Sequence, residues 1–209
     1  MQAKLLLISW LVSVVYGSIP LFWVAIHPFA GRWRKMQRSP YRILLPLWII
    51  LTVALGWATR PWHKQHIYST PWLWLPALIF FVMGLRTYRK IFSEFGARKL
   101  SGEPELRPEE HEQRLVTTGM HARMRHPIYV AHLSMMAAWT LGSGLLVAFV
   151  LLAISAFVTF PLMIWLEERE LEKRFGQEFH NYKKSVPLVP KFFSSATKVS
   201  TLMGSGREV

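Results

Sequence analysis

The 209-residue chain contains no cysteine. Disulfide bonds, a thiolate nucleophile and any zinc or iron–sulfur site built on cysteine are therefore excluded. Acidic residues are scarce: 12 Asp and Glu stand against 25 Lys and Arg, a formal net charge of +13. In a soluble protein that excess would suggest nucleic acid. Here the basic residues gather in segments between long runs with almost no charge. Such segments stay on the cytoplasmic face of a membrane and meet anionic lipid, so membrane lipids rather than nucleic acid are the expected partners. Internal repeats and low-complexity tracts are also lacking. What is abundant is apolar: 52% of residues are hydrophobic and 10 are tryptophan. The composition predicts an all-α, polytopic membrane protein.

Five apolar segments stand out, at residues 5–26, 43–59, 71–85, 128–141 and 145–166. The first and last are long enough to cross a bilayer at about 1.5 Å per helical residue. The second is at the short limit, and the third can continue as a helix into the polar residues after it. The first run exceeds the apolar core of a signal peptide, and His27-Pro28-Phe29 follows it rather than a small-residue cleavage site, so it is expected to be retained. Gly142-Ser143-Gly144 joins the last two segments as a tight, uncharged turn. These two predict a C-terminal helical hairpin. Pro161 should bend its second arm near Phe157. Beyond it the helical periodicity runs on as a cytoplasmic C-terminal helix, with Gly176 as a local break.

Five transmembrane helices place alternate segments on opposite sides. Residues 31–42 and 86–127 and the chain after Leu166 then fall together, carrying 22 of the 25 Lys and Arg and all 12 acidic residues. That asymmetry predicts an N-terminus outside and a C-terminus in the cytoplasm, in the cell (inner) membrane. Trp62, Trp72 and Trp74 would form an aromatic belt at the outer ends. The expected organisation is a three-span region (1–85), a cytoplasmic connecting segment (86–127), the hairpin plus cytoplasmic helix (128–190) and a disordered tail (191–209).

The stretch "RMRHPIYVAH", residues 123–132, concentrates cationic and titratable groups at the mouth of the fourth segment. A hairpin returns the chain to the same side at Glu167 and Glu168. Arg125, His126 and Tyr129 should then face the two carboxylates across a short gap. Each residue has an ordinary alternative use. Arg125 can anchor a cytoplasmic loop, and His126-Pro127 can start a helix. Tyr129 can sit at the lipid interface, and Glu167 and Glu168 on a solvated helix face. His132, one turn into the membrane, can bond a neighbouring helix or serve function.

Taken together, the residues form two blocks with a hairpin between them. Leu115-Val116-Thr117, Gly119, Arg125-His126-Pro127 and Tyr129 make the first. Glu167-Glu168, Leu171, Phe175-Gly176, Phe179, Tyr182, Val186-Pro187 and Pro190 make the second. In this order and spacing, residues 113–190 resemble the isoprenylcysteine carboxyl methyltransferases and the related phospholipid methyltransferases. The resemblance implies an integral membrane methyltransferase that uses S-adenosyl-L-methionine and a lipophilic methyl acceptor entering from the bilayer, with no metal. By position it implies a cofactor-binding set of Gln113, Arg114, Leu115, Val116, His121, His126, Pro127, Ile128, Tyr129 and Glu167. It also implies catalytic roles for Arg125, His126, Glu167 and Glu168.

Three positions depart from the family pattern. His121 stands where a tyrosine is usual, and Ala131 where a glycine is usual. Met163 stands where prenylcysteine methyltransferases place an arginine that can grip a carboxylate. A carboxylate acceptor needs an orienting cation, whereas an amine, with a pKa of roughly 10, needs a base. The departure at Met163 shifts weight from a prenylcysteine carboxylate toward another lipid-like acceptor, an amino-phospholipid among them. An NADPH-dependent membrane reductase of the steroid-reductase kind is a further alternative, as is a non-catalytic role in which the motifs only cap and anchor helices.

Overall fold

The computed structural model describes residues 2–36, 38–100, 106 and 114–189, without the side chains of 2, 3 and 95–100. Gln113 and the expected tail, 191–209, lie outside the described residues. The regular elements described are helical, apart from one isolated bridge between His66 and Leu145. In order they are α1 (Gln2–Ile26), a 3-10 turn (His27–Phe29), α2 (Ala30–Trp33), α3 (Tyr41–Thr59), α4 (Trp74–Leu100), α5 (Pro127–Ser143), α6 (Leu146–Ile154), α7 (Phe160–Phe175) and α8 (Gln177–Ser185). Short 3-10 turns also occur at Arg60–Trp62, Pro71–Leu73 and Gly119–Ala122.

Three stretches, Lys4–Trp33, Tyr41–Trp62 and Leu146–Phe175, are long and apolar enough to cross a membrane. The other two expected segments became α4, whose second half is basic, and α5, 17 residues long. α4 and α5 pack along each other, and α1 contacts α3, α5, α6 and α7. Inside α1 the hydroxyls of Ser9, Ser13 and Ser18 bond back to the carbonyls of Leu5, Ser9 and Val15. Small polar groups are thus satisfied within an apolar helix. Two more join α1 to α3: Thr52 Oγ1 to Ser18 Oγ at 2.9 Å, and Trp10 Nε1–H to Thr59 Oγ1 at 3.0 Å.

The hairpin turns where the glycines require it. Gly144 adopts φ 67°, and a Cβ there would run into the Tyr68 carbonyl. Left-handed backbone with no room for a side chain leaves glycine as the fitting residue. The α3–α4 connection grips the tip. Ile67 N–H donates to the Gly144 carbonyl at 2.8 Å, Leu146 N–H to Gln65 at 2.9 Å, and Tyr68 Oη–H to Leu141 at 2.8 Å. Gly142 lets Trp74 lie flush on α5, edge-on to Trp139. Trp62 and Trp72 are exposed, whereas Trp74 is half-buried against α5.

Pro161 lacks an N–H, and the helix accommodates it one turn earlier. Ser155–Thr159 form a π-helical turn in which Phe160 N–H bonds the Ser155 carbonyl. One extra residue in the turn re-aims α7 relative to α6. α7 then ends at Gly176, φ 52°, and α8 turns back under it.

Candidate active site

The loop into α5 is built to present side chains. Gly119 has φ 60°, and a Cβ there would overlap the Glu94 carboxylate, which accepts Met120 N–H at 3.0 Å. Pro127 occupies the first turn of α5, where its missing N–H costs nothing. His126, just outside the helix, receives Tyr129 N–H on its carbonyl at 3.2 Å. This puts the imidazole of His126 parallel to the Tyr129 ring, 5.2 Å away at 7°.

The π turn and α7 bring Glu167 and Glu168 against this corner. His126 Nδ1 lies 3.4 Å from Glu167 Oε2, and its Nε2 lies 3.2 Å from Glu168 Oε1. Tyr129 Oη–H donates to Glu167 Oε2. Glu168 is nearly saturated. It accepts Arg125 Nε–H at 2.8 Å on Oε1 and lies 2.8 Å from Lys183 Nζ through Oε2. Arg125 spends its remaining reach on α8, donating to the carbonyls of Val186 at 2.6 Å and Lys183 at 3.2 Å.

Burial alone would lower the pKa of His126, but the facing carboxylates, Glu167 first, outweigh it and raise it to about 9. At neutral pH His126 is an imidazolium clamped between two acids. His121 goes the other way: burial lowers it to about 4 against a weaker pull from Glu167. It is neutral at pH 7. Burial raises the Tyr182 phenol to about 12, and its hydroxyl donates to the His121 carbonyl at 2.8 Å.

The structure therefore brings Arg125, His126, Tyr129, Glu167 and Glu168 into one contact network. Pro127 and Ile128 open the same helix turn. Leu115 packs elsewhere, under α8 against Phe179, Tyr182 and Val186. Val116 is half-buried, and Arg114 is exposed. Ala131 is fully buried. Met163 is fully buried beside Tyr129 and Phe160, so α7 offers no cation there. His132, buried in α5, shares a hydrogen bond with Tyr88 Oη through Nδ1. Sequence reasoning weighed Lys183 only as a charge for the reductase alternative and did not place it on Glu168. It missed His27, which no pattern links to α7.

A cleft of about 480 Å³ lies between α1, α3, α4 and α5. Phe22 and Trp23 line one side, Tyr41 and Trp48 another, and Tyr88, Tyr129 and His132 a third. Among the described residues, none that lines it carries a charged side chain. One lining residue, Tyr129, bonds the Glu167 carboxylate.

The family comparison covers the hairpin and the paired acids at its base. Residues 72–178 match the family model described as phospholipid methyltransferase. The chain belongs to the phospholipid methyltransferase family. That family's match begins at the Trp72 turn and ends just inside α8, so it contains α4, the hairpin and the whole Arg125–Glu168 network. α1 to α3, which supply two walls of the cleft, lie before it. No curated protein and no solved structure matches the chain.

Proposed function

We propose that the chain is an integral membrane methyltransferase that uses S-adenosyl-L-methionine on a lipid-like acceptor, with Glu167 at its centre. One observation carries this reading: the apolar cleft is lined by Tyr129, whose hydroxyl is bound to Glu167. An acceptor tail in the cleft would place its reactive head at the carboxylate. The residues present suit the cofactor. Glu167 Oε1 accepts no hydrogen bond from the described residues, and a free carboxylate oxygen suits a cationic ligand or ribose hydroxyls. Residues 114–117 have no regular secondary structure, which leaves backbone groups for a base. When bound, the cofactor supplies a methyl group activated on a sulfonium.

The chain's own residues divide the work. His126 and Tyr129 hold Glu167 through Oε2, and Arg125, Glu168 and Lys183 fix the α7–α8 corner against the start of α5. Because His126 is already protonated, Glu167 is the base for an acceptor that must lose a proton. Alignment of the acceptor's head in the walled cleft supplies much of the rate, up to roughly 7–11 kcal/mol in well-oriented systems. The buried Met163 and the uncharged cleft give a prenylcysteine carboxylate no counterion, which favours an amine or another neutral nucleophile. We place α1, α3, α4, α5 and α6–α7 as five spans, with the N-terminus outside and the Glu167 end cytoplasmic. Residues 113–190 form the methyltransferase core, and 1–85 build the acceptor side.

Titration calorimetry on the detergent-purified protein tests the proposal. S-adenosylmethionine and its demethylated product should bind at micromolar strength, and Glu167→Gln should weaken that binding at least tenfold. Folded protein that binds neither would overturn the assignment, and binding of NADPH instead would move it to the reductase class.

A further inference from the structure

Beside Glu167, on the side away from Glu168, four polar atoms are buried with no hydrogen-bond partner among the described residues. They are both ring nitrogens of His27, Oε2 of Glu170 and Nε of Arg174. Glu167, Glu170 and Arg174 recur at helical spacing along one face of α7. The His27–Phe29 turn packs against α7, and His27 lies within electrostatic reach of Glu167, Glu170 and Arg174. His27 is 6% exposed and stacked on Trp23 at 5.5 Å and 19°, which fixes its ring plane. Glu170 is anchored through its other oxygen by Arg34 and by Arg174 Nη1 at 3.4 Å. The four atoms are therefore held in place yet unused, and unused buried polar atoms are rare.

Their chemistry specifies an occupant. A neutral imidazole offers one donor and one acceptor; Arg174 Nε–H is a second donor and Glu170 Oε2 a second acceptor. A simple anion would serve only the donors, and a simple ammonium only the acceptors. A group that carries an ammonium and a carboxylate on one carbon serves donors and acceptors together. We propose that His27, Glu170 and Arg174 form a zwitterion subsite for the amino-acid end of the cofactor. The ammonium donates to Glu170 Oε2, and the carboxylate accepts Arg174 Nε–H and a ring N–H of His27. This rests on the reading of the chain as an S-adenosylmethionine-dependent methyltransferase. It adds that the turn after α1, outside the family match, is part of the cofactor site.

Truncating the ligand isolates the subsite. S-adenosylhomocysteine keeps the amino-acid end, whereas 5′-methylthioadenosine lacks it. Both are titrated against wild type, His27→Phe, which preserves an aromatic ring on Trp23, and Glu170→Gln. The wild type should prefer S-adenosylhomocysteine by roughly tenfold or more, the size of one hydrogen bond to a charged group. Each variant should lose most of that preference while binding methylthioadenosine as the wild type does, which also shows that the variant is folded. A preference unchanged in both variants overturns the subsite and leaves the methyltransferase reading intact. An equal loss for the two nucleosides also overturns it. If wild type binds neither nucleoside, the methyltransferase reading fails and the subsite with it.

Discussion

Glu167 and Glu168 are neighbours in sequence and live in opposite surroundings. Glu168 meets Arg125, His126 and Lys183 and ties the start of α5, α7 and α8 together. Glu167 meets His126 and Tyr129 through one oxygen, and its side chain is 25% exposed. On Glu167's side the surroundings continue into His27, Glu170 and Arg174, where buried atoms have no hydrogen-bond partner among the described residues. One successive residue, about 100° around the helix, separates a saturated clamp from an unsaturated site. A saturated buried network holds a fold; an unsaturated one is strained without an occupant.

The largest expected effect follows from that difference. Glu168→Ala leaves Arg125 and Lys183 without their shared acid, and removing one partner of a buried pair costs about 3–5 kcal/mol. The melting temperature in detergent should fall sharply, whereas Glu167→Ala should lower it much less. Equal losses would erase the distinction between the two sides. His126 belongs to both. His126→Ala therefore costs stability as well as ligand binding, because two facing carboxylates lose the cation between them.

Next in size is ligand binding. Glu167→Gln keeps the size of the side chain and its bond from Tyr129 but removes the charge. Affinity for S-adenosylhomocysteine should drop at least tenfold, about 1.4 kcal/mol, with the melting temperature falling less than in Glu168→Ala. A variant that melts like Glu168→Ala would show that Glu167 is part of the clamp.

Much of this corner was legible before the structure. Arg125, His126, Tyr129, Glu167 and Glu168 meet because a hairpin must return its two ends to one place, and the glycine turn marked the hairpin. The rest needs three dimensions. Trp74 reads as an interfacial tryptophan, yet Gly142 opens a slot on α5 that takes it inside. His27 lies 140 positions before Glu167 with no motif joining them; only packing of the first turn on α7 makes them neighbours. The expected span at 128–141 became a helix of 17 residues, sheltered by α4 and α1 rather than by its own length.

A smaller, graded effect should appear with pH. His126 is raised from its ordinary 6.5 to about 9. A raised pKa contributes stability that is complete below pH 6.5 and lost as pH climbs through 9. His121, lowered to about 4, works in reverse and adds stability as pH rises from 4 to 6.5. The melting temperature should peak near pH 6.5, and His126→Gln should flatten the alkaline side only. A flat alkaline limb in the wild type would mean that His126 is not held as a cation by Glu167 and Glu168.

The smallest expected change sharpens the contrast at the wall of the cleft. Tyr88 Oη bonds His132 Nδ1 and also meets Tyr16, so Tyr88→Phe removes hydrogen bonds worth about 0.5–1.5 kcal/mol each. By the logic of the saturated clamp the result should be a modest loss of stability with cofactor affinity unchanged. Yet both residues line the cleft, so freeing His132 Nδ1 alters the wall that the acceptor touches. KM for a lipid acceptor should rise while affinity for S-adenosylhomocysteine stays constant. If cofactor affinity falls instead, cleft and carboxylate corner are one site, and the boundary drawn at Tyr129 is misplaced.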